Sequence, residues 1–70
     1  MYTLEKVLEI TKMDANPYCK LYKGFRYCGL GLRYCGEGWL SELDLDSESK
    51  IEMYSVGVDQ TGKYLILCLA

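Results

Sequence analysis

The sequence predicts a small α+β domain, a short N-terminal helix packed on a small antiparallel β-sheet. Three observations carry that reading: helical apolar spacing over residues 3–12, a hairpin signature over residues 51–69, and a glycine-rich, strand-like stretch between them. The chain has 70 residues, half of them apolar and 26% charged, and a net charge of −2. That is the composition of one globular domain over residues 1–70 and not of a disordered chain. A domain this short buries only about 60% of its unfolded surface, so its core is thin.

Residues 3–12 read TLEKVLEITK, with Leu4, Val7, Leu8 and Thr11 at helical spacing and Thr3 available as N-cap. The breaker Asp14-Ala15-Asn16-Pro17 follows. The competing reading is a strand with Leu8 and Ile10 on one side. Next come two strand-like pieces, Tyr18 to Tyr22 and Phe25 to Cys28, interrupted by Gly24, Gly29, Gly31, Gly36 and Gly38. Within this region Arg26-Tyr27-Cys28-Gly29 is echoed by Arg33-Tyr34-Cys35-Gly36. A hairpin turning at Gly31-Leu32 accounts for the echo and sets Cys28 opposite Cys35, Gly29 opposite Tyr34 and Leu30 opposite Arg33.

Gly38 to Leu45 shows Trp39, Leu43 and Leu45 at a period of two, followed by the polar turn Asp46-Ser47-Glu48-Ser49. Ile51 to Val58 and Lys63 to Leu69 are β-favourable runs joined by Asp59-Gln60-Thr61-Gly62, with glycine where a positive φ is needed. Together these predict a three-stranded antiparallel meander over 38–69, with the C-terminal strand as a sheet edge through which copies of the chain could associate.

Charge is unevenly distributed. Residues 18–39 hold Lys20, Lys23, Arg26 and Arg33 against the single acid Glu37, a local +3. Residues 40–70 hold Glu42, Asp44, Asp46, Glu48, Glu52 and Asp59 against Lys50 and Lys63, a local −4. Histidine is absent, which removes imidazole bases and imidazole metal ligands. The four cysteines are spaced without a CxxC pair, against the usual zinc-knuckle pattern. With no secretory signal at the start of the sequence, a reducing cytoplasmic setting and free thiols are the expectation. The longest apolar run, Tyr64 to Ala70, is too short to span a bilayer.

Asp44-Leu45-Asp46-Ser47-Glu48 has the phase of an EF-hand loop. Ser49 stands in place of its turn glycine, however, and Ser55 in place of its closing glutamate. GLGLRYCG lacks the ending of a phosphate loop. The expectation is therefore no catalytic residue, no metal and no cofactor.

What remains is recognition. Tyr, Trp and Arg dominate protein interfaces, and this chain has seven tyrosines and one tryptophan. The expected function is a non-catalytic protein-binding module, an inhibitor or regulator that occupies a partner's surface. Small virus- and mobile-element-encoded proteins that block a host enzyme or defence complex work in this way. The nominated contact residues are Tyr22, Arg26, Tyr27, Arg33, Tyr34 and Trp39, with the acidic Asp44, Asp46 and Glu48 beside them. The alternative is single-stranded nucleic-acid binding through segment 18–39, where aromatic faces stack bases and cations follow phosphates.

Overall fold

The N-terminal helix forms where the apolar spacing puts it. The computed structural model describes residues 1–24 and 32–70, and within them α1 runs from Leu4 to Thr11 directly after a two-residue strand, β1, Tyr2–Thr3. Thr3 caps the helix by accepting a 3.2 Å hydrogen bond from the Lys6 N–H. Two further N–H groups of the first turn, those of Leu4 and Glu5, donate to the carbonyls of Ser49 and Ser47. Donors that a helix start leaves unpaired are thus taken up by residues 47–49.

At the other end Lys12 adopts a left-handed conformation, φ 53°, and its N–H returns to the Leu8 carbonyl. Glycine takes up that conformation without a Cβ penalty. Lys12→Gly is therefore expected to raise stability by about 0.5–1 kcal/mol, read as a higher urea midpoint at unchanged slope; a lowered midpoint refutes it.

The remaining elements are β2 Tyr18–Gly24, β3 Leu32–Trp39, a 3₁₀ turn Leu40–Glu42, β4 Lys50–Asp59 and β5 Gly62–Leu69. They make one five-stranded sheet in the order β1-β4-β5-β2-β3. The class is α+β, as the sequence predicts, and the sheet is mixed: β2 and β5 pair in parallel at its centre, and the other neighbours are antiparallel.

Three expectations are corrected. The C-terminal strand is not an edge, because β5 is paired with β4 on one side and β2 on the other. Its unbroken apolar run, Tyr64 to Leu69, suits a strand enclosed on both sides by neighbours. The meander over 38–69 is absent, since the chain leaves β3 at Trp39 and enters the 3₁₀ turn. There Leu40 and Leu43, three residues apart, both pack on the core, which a strand alternation would not allow. The turn is pinned by the Leu40 N–H on the Pro17 carbonyl and the Ser41 N–H on Asn16 Oδ1.

The third correction concerns the glycine-rich hairpin. Cys28, Gly29 and Leu30 lie outside the described residues. Leu32, the expected turn residue, is already a β3 residue opposite Gly24, and Arg33 and Tyr34 pair with Lys23 and Tyr22. Cys35 is an extra residue in β3, between the rungs Leu21–Gly36 and Tyr22–Tyr34.

The β4–β5 hairpin forms as predicted. Asp59 pairs with Gly62, whose φ is +118°, and Asp59 Oδ1 accepts from the Thr61 hydroxyl and the Thr61 N–H. Those two bonds, the hydroxyl's first, hold the Asp59 carboxyl below its ordinary pKa.

The topology puts both long connections on the same side of the sheet. α1 carries the chain from β1 across to β2, and residues 40–49 bring it back from β3 to β4. Their apolar side chains meet the sheet's inner face in a core of Leu4, Val7, Cys19, Ile51, Leu65 and Leu67, edged by Leu8, Met13, Leu21, Leu40, Leu43, Leu45, Tyr54 and Leu69. Among the described residues, no helix or strand packs across the opposite face.

Candidate functional site

That opposite face is built from alternate residues of the strands, because side chains alternate sides along a strand and register partners share a side. β2 presents Tyr18, Lys20 and Tyr22, and β3 sets Trp39, Glu37 and Tyr34 directly across from them. Beside Lys20 and Tyr22, β5 contributes Ile66 and Cys68, with Tyr64 at the near end.

The rings are ordered in pairs. Tyr18 meets Trp39 edge-on with centroids 5.3 Å apart, and Tyr22 meets Tyr34 at 5.6 Å. Both are favourable edge-to-face geometries. Lys20 lies 4.5 Å from the centroid of the Tyr64 ring, a cation–π contact. The Tyr64 ring in turn lies over Gly57 of β4, where a Cβ would overlap its Cζ and Oη.

Glu37 ties the two ring pairs together. Its carboxylate accepts from the Tyr18 hydroxyl at 2.5 Å and from the Tyr34 hydroxyl at 2.6 Å. The physical signature is reciprocal. The two phenol hydrogen bonds, Tyr18's first, favour the charged carboxylate and lower the Glu37 pKa, and nearby Lys20 adds to this. The same bonds favour the protonated phenols, so Tyr18 is raised and Tyr34 is pushed up to about 12. The cluster thus has a fixed protonation state at neutral pH: one carboxylate and two phenols.

Despite this anchoring the face is wet. Trp39 is 51% and Tyr34 53% exposed. A shallow cleft of about 370 Å³ runs between Tyr18, Trp39 and the hairpin tip, with Lys20, Glu37, Asp59, Thr61 and Lys63 completing its walls.

The nominated residues separate into groups. Tyr22, Tyr34 and Trp39 come together on the open face. Arg33 is opposite Lys23, on the rung between Tyr22–Tyr34 and Gly24–Leu32, so its side chain leaves from the other side of the sheet. Asp44, Asp46 and Glu48 are exposed in the connection before β4, which packs on the core side. Asp46 Oδ1 is already engaged there, accepting from the Glu48 N–H at 2.9 Å and the Ser49 hydroxyl at 3.3 Å. Arg26 and Tyr27 lie outside the described residues.

The nominated contact residues leave out Tyr18, Lys20, Glu37 and Tyr64, the first three of which fall only within the alternative nucleic-acid segment 18–39. The period-two spacing of Tyr18, Lys20 and Tyr22 is the signal that could have found the first two. Among the described residues no three Cys, Asp or Glu side chains converge as metal ligands. Of the described cysteines, Cys19 and Cys68 are buried and Cys35 is exposed, all three as free thiols. Burial raises the Cys19 thiol to about 11, and it points at the Pro17 carbonyl, 3.5 Å away. It stays protonated at neutral pH and is no nucleophile. No described helix is long and apolar enough to cross a membrane.

Comparison with family models, curated proteins and solved structures finds no match for this chain.

Proposed function

We propose that this chain is a non-catalytic protein-binding module that covers a partner's surface with its open sheet face. The observation that supports the reading is the exposed Tyr18–Trp39 and Tyr22–Tyr34 pairs, held in place by the two hydroxyl bonds to Glu37. Rigid aromatic side chains give large contact areas at low entropic cost, and pre-ordering them before contact lowers that cost further. Lys20 and Glu37 at the centre, with Asp59 and Lys63 at the hairpin end, give a charge-balanced rim. The complementary partner is an apolar protein patch bordered by mixed charge.

Nucleic-acid binding would use the same rings. Phosphates need a positive track, and here Lys20, at the centre of the face, acts on the carboxylates of Glu37 and Asp59. The rings also meet edge to face, so each pair spends one ring's flank on its neighbour and leaves less open surface for stacked bases.

The test is capture from lysate on the immobilised chain, with nuclease and moderate salt present. The double variant Trp39→Ser with Tyr34→Ser is compared with Ile10→Ser, which alters an exposed position on α1. One protein retained by wild type and by Ile10→Ser, and lost at least tenfold by the double variant, is the expected result. A partner held equally by all three chains removes the open face from the interface. Quenching of Trp39 by oligonucleotides, weakening steeply with salt, would establish the nucleic-acid reading instead.

A further inference from the structure

Among the described residues, the outer edge of β4 is free over a defined length. β1 pairs only with Lys50 and Ile51, while β4 continues to Asp59. No described strand pairs with the outer side of Met53–Asp59.

The backbone orientation along this edge follows from the turn. Asp59 and Gly62 flank the two turn residues, which in a two-residue hairpin makes them a hydrogen-bonded pair, and the register continues without a shift to Met53–Cys68. Ser55 and Gly57 therefore bond inward to β5, while Tyr54, Val56 and Val58 direct both N–H and C=O outward.

Sheet edges are ordinarily protected by charge, proline or a bulge. Met53-Tyr54-Ser55-Val56-Gly57-Val58 contains no charged residue and no proline. The opposite edge, β3, is protected: Cys35 bulges, Gly36 takes φ +136°, and Arg33 and Glu37 are charged. The side chains along the β4 edge are also apolar and uncovered, with Val58 72%, Met53 56% and Val56 40% exposed.

We propose that two copies of this chain pair through Met53–Asp59 as antiparallel strands about a twofold axis at Val56. The free stretch is its own complement. Val56 is its midpoint, so the twofold pairs the whole free edge with itself and stops at β1 on one side and at the hairpin turn on the other. Val56 then faces Val56 of the second copy, and Tyr54 lies beside the second copy's Val58. On the other side of the strand, Ser55 meets Gly57, over which the Tyr64 ring of its own chain lies. The outward groups of Tyr54, Val56 and Val58 make about six new backbone hydrogen bonds.

The axis of such a pairing is perpendicular to the sheet, so the two open aromatic faces come to lie side by side on one surface. The dimer is bivalent for any partner that is itself repeated. The pairing itself uses neither the two ring pairs of that face nor Lys20 and Glu37.

Sedimentation analysis tests the pairing. Wild type is expected to sediment as a dimer at high micromolar concentration and to dissociate on dilution. Val56→Lys and Val56→Glu, each checked for an unchanged circular dichroism spectrum, are each expected to be monomeric, because like charges meet at the axis. An equimolar mixture of the two is expected to recover the dimer, since only this register brings position 56 against itself. Trp39→Ser, on the open face, leaves the dimer intact whether or not the proposed partner binding is correct. A monomeric wild type, a dimeric Val56→Lys, or a mixture that stays monomeric overturns the proposal.

Discussion

Leu67→Ala is expected to cost about 2–5 kcal/mol, the range for truncating a fully buried leucine. A chain of 70 residues has a total stability of only about 3.5–10 kcal/mol at typical per-residue values. The variant should therefore be largely unfolded well below the midpoint temperature of the wild type. The position sets the size of the effect. Leu67 has no exposed surface, and it sits in the central strand with Tyr54 beside it on β4 and Leu21 beside it on β2. Ile10→Ala removes an apolar side chain of similar size that is 44% exposed on α1, and is expected to change stability by under about 0.5 kcal/mol. Urea midpoints for the two variants settle the matter. Similar losses in both would mean that the core does not lie between α1 and the sheet.

The second large effect is in titration. Glu37→Gln removes the carboxylate that holds the Tyr34 phenol at about 12, and its ionisation should fall back toward the ordinary 10.0. Tyr18, raised by the same carboxylate, should move in the same direction. Phenolate absorbance followed through an alkaline titration reads both changes, and an unaltered curve would exclude the Glu37 bonds in solution.

The linkage has a definite sign. Glu37 is lowered, so its contribution is complete above the ordinary carboxylate pKa and is lost as pH falls through the lowered value. The phenols are raised, so theirs is complete below the ordinary tyrosine pKa and is lost as pH rises through the raised values. The open face thus keeps one hydrogen-bonded arrangement from roughly pH 5 to 10. Partner binding through it should be insensitive to pH across that window.

The local elements were readable because their signals are local. The α1 cap, the Gly62 turn and the β4–β5 pair each rest on residues within a few positions of one another. The parallel contact between β2 and β5 has no such signal, because it joins Cys19 to Leu65 across most of the chain. The one available hint was compositional: a continuous apolar run belongs in the interior of a sheet. The 3₁₀ turn was misread because Leu43 and Leu45 fit a strand period as well as they fit a chain folding back on the core.

The site was half legible for a related reason. Aromatic residues mark an interface by type, which brought Tyr22, Tyr34 and Trp39 to notice. Charges were summed over segments, and the sum counted Glu37 only as a reduction of a basic block. In the fold Glu37 is the residue that orders the rings. Segment sums also joined Arg33 to the aromatics, from which strand alternation separates it.

The position of β5 also determines the order in which the molecule can assemble. The strand at the middle of the sheet is the last in the sequence, so β2–β3 and β1–β4 have no common neighbour until residues 62–69 are present. A nascent chain emerging up to residue 61 would hold separate pieces with their apolar sides exposed. Folding should begin at the β4–β5 hairpin, whose contacts close a short loop, and finish with β2 arriving alongside β5 across a long one. That long-range step is expected to set the folding rate.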